Sequence, residues 1–329
     1  MQSLFGPFDV RVDPWEVDYG SQTPVESIGE EADETVVLDI EQPAEAWSAV
    51  IPESVTAPAQ ICFVDGVRRL EARLLVRRDW QILHGGFGSH AVGVVRVRNG
   101  RAMFGEAVTG REVILGSGEK FPGDVKIRPG LVYAAISAMG AEPDAPLRAI
   151  QANMRRAEGR LAGQLAAEPD TLVVSDGPLS FEAGARGTSV GMIKRITELY
   201  LPANYVPFLA ALPSGSRTPL FGIRAQHGGF SRLAWFVRLA PVLRGESELH
   251  GLVRLECREA VGTELAATLA NLTAAVLPRF APSRGRDPRS PQNLLPIGAL
   301  EQRLRHSLGD ARRCRRWIET CIIREVTHV

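Results

Sequence analysis

The sequence has little of what metal fingers, disulfide scaffolds and membrane spans require. Its 329 residues include only four cysteines and six histidines. Cys62, Cys257, Cys314 and Cys321 form no C-x-x-C pair, so they are expected to be small buried hydrophobes or inert thiols, and a zinc ribbon is excluded. His84 and His90 flank Gly85-Gly86-Phe87-Gly88, a spacing without zinc-site geometry, and both are expected in a loop. No run approaches the ~18 apolar residues of a membrane span. The opening Met1-Gln2-Ser3-Leu4-Phe5-Gly6 lacks the basic stretch and apolar core of a signal peptide. A soluble, cytoplasmic protein that does not engage a membrane is the expectation. There are no internal repeats, and Gly116-Ser117-Gly118 is too short for a phosphate loop.

Net charge is also absent, but its sum of zero conceals an asymmetry. Residues 1–55 hold thirteen acids, among them Glu30, Glu31, Asp33 and Glu34, against the single base Arg11. This stretch is expected to be an acidic, loop-rich extension with a short helix at 43–50, leaving 56–329 as the main domain. The compensating excess of bases is mostly arginine: Arg279, Arg284, Arg286 and Arg289, then Arg303, Arg305, Arg312, Arg313, Arg315 and Arg316. Such a surface suits a polyanionic, phosphate-bearing substrate, although a solvated helix face has the same composition.

What is present is a repeated strand ending. Ile61-Cys62-Phe63-Val64 runs into Asp65-Gly66, and Leu172-Val173-Val174-Ser175 runs into Asp176-Gly177. Each is a buried strand of β-favouring residues closed by an acid, with a glycine that permits a tight turn. A third acid lies on a helix predicted from Pro146 to Ala167, whose apolar stripe is Leu147, Ile150, Met154, Leu161 and Leu165. Glu158 falls within that stripe, where a lone carboxylate is costly to bury. A divalent cation would make three convergent acids tolerable. An ordinary Asp-Gly turn is the competing account of either strand ending taken alone.

The remaining elements follow from pattern. Strands are predicted at 59–64, 69–77 and 90–97, and Asn99-Gly100 marks a hairpin into 101–107. Leu131–Met139 is assigned a short helix. After Asp176 come an apolar stretch at 189–196, strands at 219–224, 231–239 and 250–257, a helix over 263–278, a proline- and arginine-rich linker at 278–292, and helices near 296–308 and 310–325. Antiparallel strands, then a helix, then a strand beside the first is the order of a ribonuclease H-like α/β fold: a mixed sheet core with flanking helices and a C-terminal helical region. That order brings Asp65 and Asp176 together and aims Glu158 at the same point. Two Mg²⁺ or Mn²⁺ ions about 3.5–4 Å apart on such carboxylates suit hydrolysis of a phosphodiester.

At this point the chain resembles the NurA nuclease family, partners of the hexameric translocase ATPase HerA in DNA-end processing. The resemblance rests on Val64-Asp65-Gly66, Met154-Arg155-Arg156-Ala157-Glu158, Val173-Val174-Ser175-Asp176-Gly177-Pro178-Leu179 and Val190-Gly191-Met192-Ile193-Lys194. Ser216-Arg217-Thr218-Pro219-Leu220-Phe221 and Asn293-Leu294-Leu295-Pro296-Ile297-Gly298 extend it. It implies Mn²⁺-dependent DNA cleavage with a 5′→3′ leaning, a homodimer, and association with a HerA-type motor. It also implies metal ligation by Asp65, Glu158 and Asp176, with Lys194 and Arg217 near the substrate backbone or stabilising the site; an ordinary surface ion pair is the alternative for each.

One departure from the family stands out. A tyrosine and histidine common in its C-terminal helix are missing, and Leu295-Pro296-Ile297-Gly298-Ala299-Leu300-Glu301-Gln302 offers Glu301 at about that place, with His306 five residues later. Glu301 can serve a hard metal as a catalytic ligand. The same change is compatible with a catalytically silent docking subunit of a ring ATPase, and the fold itself with a ribonuclease acting on RNA–DNA hybrids. The acidic stretch is expected to pack on its own protein or on the motor rather than in the DNA path.

Overall fold

The computed structural model describes residues 4–13, 34–179, 187–196, 198–225 and 231–327. Glu30, Glu31 and Asp33 lie outside the described residues. In chain order the strands and helices are β1 (Asp9–Val12), β2 (Glu34–Val37), β3 (Gln60–Arg78), β4 (Gln81–Arg98), β5 (Arg101–Leu115), β6 (Val125–Arg128), β7 (Leu131–Ser137), α1 (Ala145–Leu165), β8 (Thr171–Asp176), β9 (Ser189–Ile193), α2 (Val206–Ala210), β10 (Phe221–Ala225), β11 (Arg232–Arg238), β12 (Leu252–Arg258), α3 (Thr263–Val276), α4 (Leu295–Ser307) and α5 (Ala311–Thr327). Among the described residues no helix is long and apolar enough to cross a membrane.

One mixed sheet organises the chain, in the order β2-β10-β11-β12-β9-β8-β3-β4-β5-β7-β6, with β1 also paired to β3. β3, β4 and β5 are antiparallel neighbours, α1 follows after the β6–β7 pair, and β8 returns parallel to β3 with Val64 opposite Ser175. β9 then adds parallel to β8. This is the ribonuclease H-like order, in which a helical crossover places the fourth core strand beside the first.

Strand alternation then sorts the side chains. Cys62, Val64, Val92, Val94 and Val173 pack beneath Met154, Ala162 and Leu165 of α1. Phe63, Val67, Val95 and Val174 share a core with Leu269 of α3 and with Ile297, Leu300 and Leu304 of α4. Asp65 is in register with Phe63 and Val67, and Asp176 with Val174, so both acids belong to the α4 face.

Several expectations are corrected. The strands predicted at 59–64 and 69–77 are one continuous strand, β3, because pairing with β4 runs straight through Asp65↔Gly93 and Gly66↔Val92. Gly66 therefore marks no turn. A Cβ there would lie 2.4 Å from Glu158 Oε1 and 2.9 Å from Met154 Cγ, so the glycine permits the close approach of α1. His84 and His90 lie inside β4 rather than in a loop, and His90 is buried. The glycines between them admit neighbouring side chains; a Cβ at Gly88 would collide with Ile150.

Leu131–Ser137 is a strand, not a helix, with Leu131, Tyr133 and Ala135 inward and pairing to both β5 and β6. The helix expected at 43–50 is a single 3-10 turn, Ala44–Ala46. The Asn99-Gly100 hairpin is present, with φ of +50° and +72°, the left-handed pair that such a turn requires.

Candidate metal centre

β3 delivers Asp65 from mid-strand, β8 delivers Asp176 from its last position, and α4 delivers Glu301 from its buried stripe. One carboxylate oxygen from each of the three lies within 4.8 Å of the others. Asp176 closes its strand because Gly177 adopts φ +90°, where the chain turns and leaves room for the Arg155 guanidinium. Glu158 reaches the area from α1, over the Cβ-less Gly66, and Arg155 Nη1 donates to its Oε2 at 3.0 Å. The same nitrogen donates to the Asp176 carbonyl at 2.9 Å, tying α1 to the end of β8. The three-acid cluster is thus Asp65, Asp176 and Glu301, with Glu158 as a neighbouring carboxylate beyond it.

Cations surround these acids. Lys194, just past β9, donates to Asp176 Oδ2 at 2.6 Å and to Asn293 Oδ1 at 2.9 Å, and stands 3.8 Å from Glu301 Oε1. Arg289 forks onto both oxygens of Glu301 at 2.9 Å each, and its other edge meets Asp287. Asn293 in turn donates to Asp287 Oδ2 at 3.3 Å.

The electrostatics remain unresolved in spite of them. Asp65 Oδ2 and Asp176 Oδ1 are buried without a hydrogen-bond partner among the described residues. Burial holds the Asp65 carboxyl well above the usual range, and the charges of Asp176 and Glu158 add to that effect against Lys194. Burial also raises Asp176, with Lys194 opposing and Glu301 reinforcing. Glu158 is raised by burial despite Arg155. Two orphaned anionic oxygens in a hard-oxygen donor set are what a divalent cation such as Mn²⁺ or Mg²⁺ takes up, so the residues present fit such an ion.

Of the residues singled out from the sequence, the structure brings together Asp65, Asp176, Glu301 and Lys194, with Glu158 adjacent. His306 is exposed on α4, five positions and more than a turn beyond Glu301. Arg217 is not brought to the cluster. It is 1% exposed, with Glu41 accepting from both terminal nitrogens at 2.7 Å, Asn271 from Nε at 2.8 Å, and the Thr218 carbonyl at 2.9 Å. A guanidinium so enclosed cannot meet a phosphate, so its expected place beside substrate is corrected to a structural one. Arg155, Asp287, Arg289 and Asn293 gain a place that sequence reasoning had not assigned. Arg155 carried a signal, three residues before Glu158 on one helical face. The others lie in or beside the segment read as a linker.

The fold and the cluster define an α/β protein with three carboxylates gathered on one face of its mixed sheet. No known family profile matches the sequence, and no curated protein matches it. Among solved structures, the chain is similar to the NurA nuclease from Sulfolobus solfataricus, over 80% of this chain and 86% of that one, at 10% identity and a TM-score of 0.40.

Proposed function

We propose that the chain is a divalent-metal-dependent DNA nuclease. In this reading it is a 5′→3′ exonuclease with accompanying endonuclease action, using Mn²⁺, or Mg²⁺ in its place, at two ion positions. It works in the cytoplasm as a homodimer with a HerA-type hexameric ATPase, in end resection and double-strand break repair. Residues 1–55 form an acidic extension and 56–329 the nuclease domain. The observation that carries the reading is the meeting of Asp65, Asp176 and Glu301 on one sheet face, two of them with buried oxygens lacking any partner.

Asp65, Asp176 and Glu301 would hold the cation, with Glu158 ligating from the α1 side. When bound, divalent ions supply Lewis-acid activation and neutralise charge building on a phosphodiester. Arg155 orients Glu158 and fixes the β8 end against α1. The Lys194 ammonium, held by Asp176 and Asn293, would offset the negative charge of a phosphate at the cluster. Holding these groups rigidly before substrate arrives lowers the cost of reorganisation during reaction.

The test is degradation of end-labelled DNA in Mn²⁺ by the wild type, Asp65→Asn and Asp176→Asn. Loss in both folded variants supports the reading; full activity in both sinks it. Running DNA, RNA and hybrid substrates side by side separates a DNA nuclease from a hybrid-specific ribonuclease.

A second reading, a catalytically silent docking subunit, is favoured by one observation. Arg289 occupies both Glu301 oxygens and Lys194 holds Asp176, so internal cations already neutralise much of the cluster. Calorimetry showing no Mn²⁺ uptake, alongside an intact complex with the motor, selects that reading.

A further inference from the structure

We infer that Arg289 is an exchange residue: it holds Glu301 while the cluster lacks a cation, and is released to bind a substrate phosphate when a divalent ion takes Glu301. This inference rests on the metal-dependent nuclease reading above. Three features of the structure carry it.

First, the pairing is bidentate. Arg289 Nη1 and Nη2 each take one oxygen of Glu301 at 2.9 Å, while an oxygen of the same carboxylate lies within 4.8 Å of those of Asp65 and Asp176. The fork takes one lone-pair direction on each oxygen, so a cation that draws Glu301 toward the aspartates competes with Arg289 for the same carboxylate. Ligation by Glu301 therefore weakens the fork and favours the release of Arg289.

Second, Arg289 has somewhere to stay. Its Nε and Nη2 also contact Asp287 at 3.2 and 3.0 Å. Asn293 braces Asp287 and receives Lys194. Asp287, Arg289, Glu301, Lys194 and Asn293 form a closed circuit of polar contacts, open only between Lys194 and Glu301 at 3.8 Å. Losing Glu301 leaves the guanidinium tethered by Asp287, with the edge that Glu301 vacated unoccupied.

Third, Arg289 is reachable. Its side chain is 51% exposed, while that of Glu301 is 12% exposed. A planar fork that fitted a carboxylate fits a phosphate equally. The Lys194 ammonium stands 3.8 Å from the same Glu301 carboxylate, so a phosphate drawn to Arg289 would meet a second cation close by.

The consequence is coupling between cation and polyanion. Because Arg289 competes with the ion for Glu301 and the phosphate competes with Glu301 for Arg289, each ligand strengthens the other by the same factor. Mn²⁺ affinity measured by calorimetry without DNA, and affinity for a phosphorothioate oligonucleotide measured by anisotropy in EDTA and in Mn²⁺, read the two sides of this cycle. In Arg289→Gln, Mn²⁺ should bind about tenfold tighter without DNA, and the Mn²⁺-dependent gain in oligonucleotide affinity should shrink by a comparable factor. Arg289→Lys keeps the charge without the fork and should fall between. Asp287→Asn frees the tether, so the oligonucleotide gain should fall with no tightening of Mn²⁺. Unchanged or weaker Mn²⁺ binding in Arg289→Gln with the gain intact overturns the exchange and leaves the nuclease reading standing. Absence of Mn²⁺ uptake by the wild type overturns both.

Discussion

Arg217 and Asp65 are both buried charges set against the central sheet, yet the structure treats them in opposite ways. Arg217 is 1% exposed and every nitrogen of its guanidinium has a partner, Glu41 supplying the countercharge from the segment between β2 and β3. Asp65 is 5% exposed, keeps one oxygen without a hydrogen-bond partner among the described residues, and faces Asp176 and Glu158 rather than a dedicated cation. A buried charge whose bonds are all made holds a fold together. A buried charge left short of partners costs stability, and its persistence is a sign of something the bare chain lacks. The contrast separates a satisfied buried charge from an unsatisfied one without appeal to either residue's type.

The largest expected effect tests the frustrated side. Asp65→Asn should lower cleavage of DNA in Mn²⁺ by on the order of 10³-fold or more, since charge stabilisation by a bound cation is worth several kcal/mol. The same substitution should raise the melting temperature of the metal-free protein and remove the further rise produced by Mn²⁺. A metal-free melting temperature that drops instead would mean that Asp65 is structurally satisfied and the contrast false.

Glu41→Ala tests the satisfied side. It strands Arg217 as an uncompensated buried charge, with an expected loss of about 3–5 kcal/mol in denaturant unfolding. A loss below ~1 kcal/mol would show the pair to behave like an exposed one. Gly66→Ala should cost less, about 1–3 kcal/mol from overpacking against Met154. Its main signature should be weaker Mn²⁺ binding, read by calorimetry, because the added methyl displaces Glu158.

The two sites should also respond to pH with opposite signs, the smallest effect of the set. Burial alone would raise Glu41, but its hydrogen bonds and ion pair with Arg217, and the Leu220 amide, outweigh that and lower it. Its contribution is therefore present above the ordinary carboxylate range near ~4 and lost as pH falls through the lowered value. Asp65 is raised, so in the metal-free protein its favourable contribution is present below the ordinary range and lost as pH rises through the raised value. Stability curves of Glu41→Gln and Asp65→Asn, each subtracted from the wild type, should slope in opposite directions. Parallel slopes would break the comparison.

The α1 helix, the β8 strand that returns after it and the Asp176-Gly177 ending were legible because each rests on local periodicity or on a backbone conformation that glycine favours. Glu158 was legible as an apolar-stripe anomaly. Asp65 was found for a reason that proved incomplete: its glycine looked like a turn, whereas Gly66 continues the strand and makes room for Glu158 and Met154. β7 was misread because an alternating run beside glycines has no local mark that separates strand from helix until β5 and β6 pair with it. Arg217 was misplaced because nothing near it in sequence names Glu41 as its partner, 176 residues away.

By itself the sequence determined the helix that follows the antiparallel strands, the strand that returns after it and the acids that these elements carry, because hydrophobic period and turn chemistry act over a few residues. The tertiary structure alone decided which charges are answered and which are left wanting: Glu41 for Arg217, Arg289 for Glu301, Lys194 for Asp176, and no partner for one oxygen of Asp65. Those pairings depend on distances between distant segments and on the low dielectric of a shared interior, and neither exists until the sheet has closed around them.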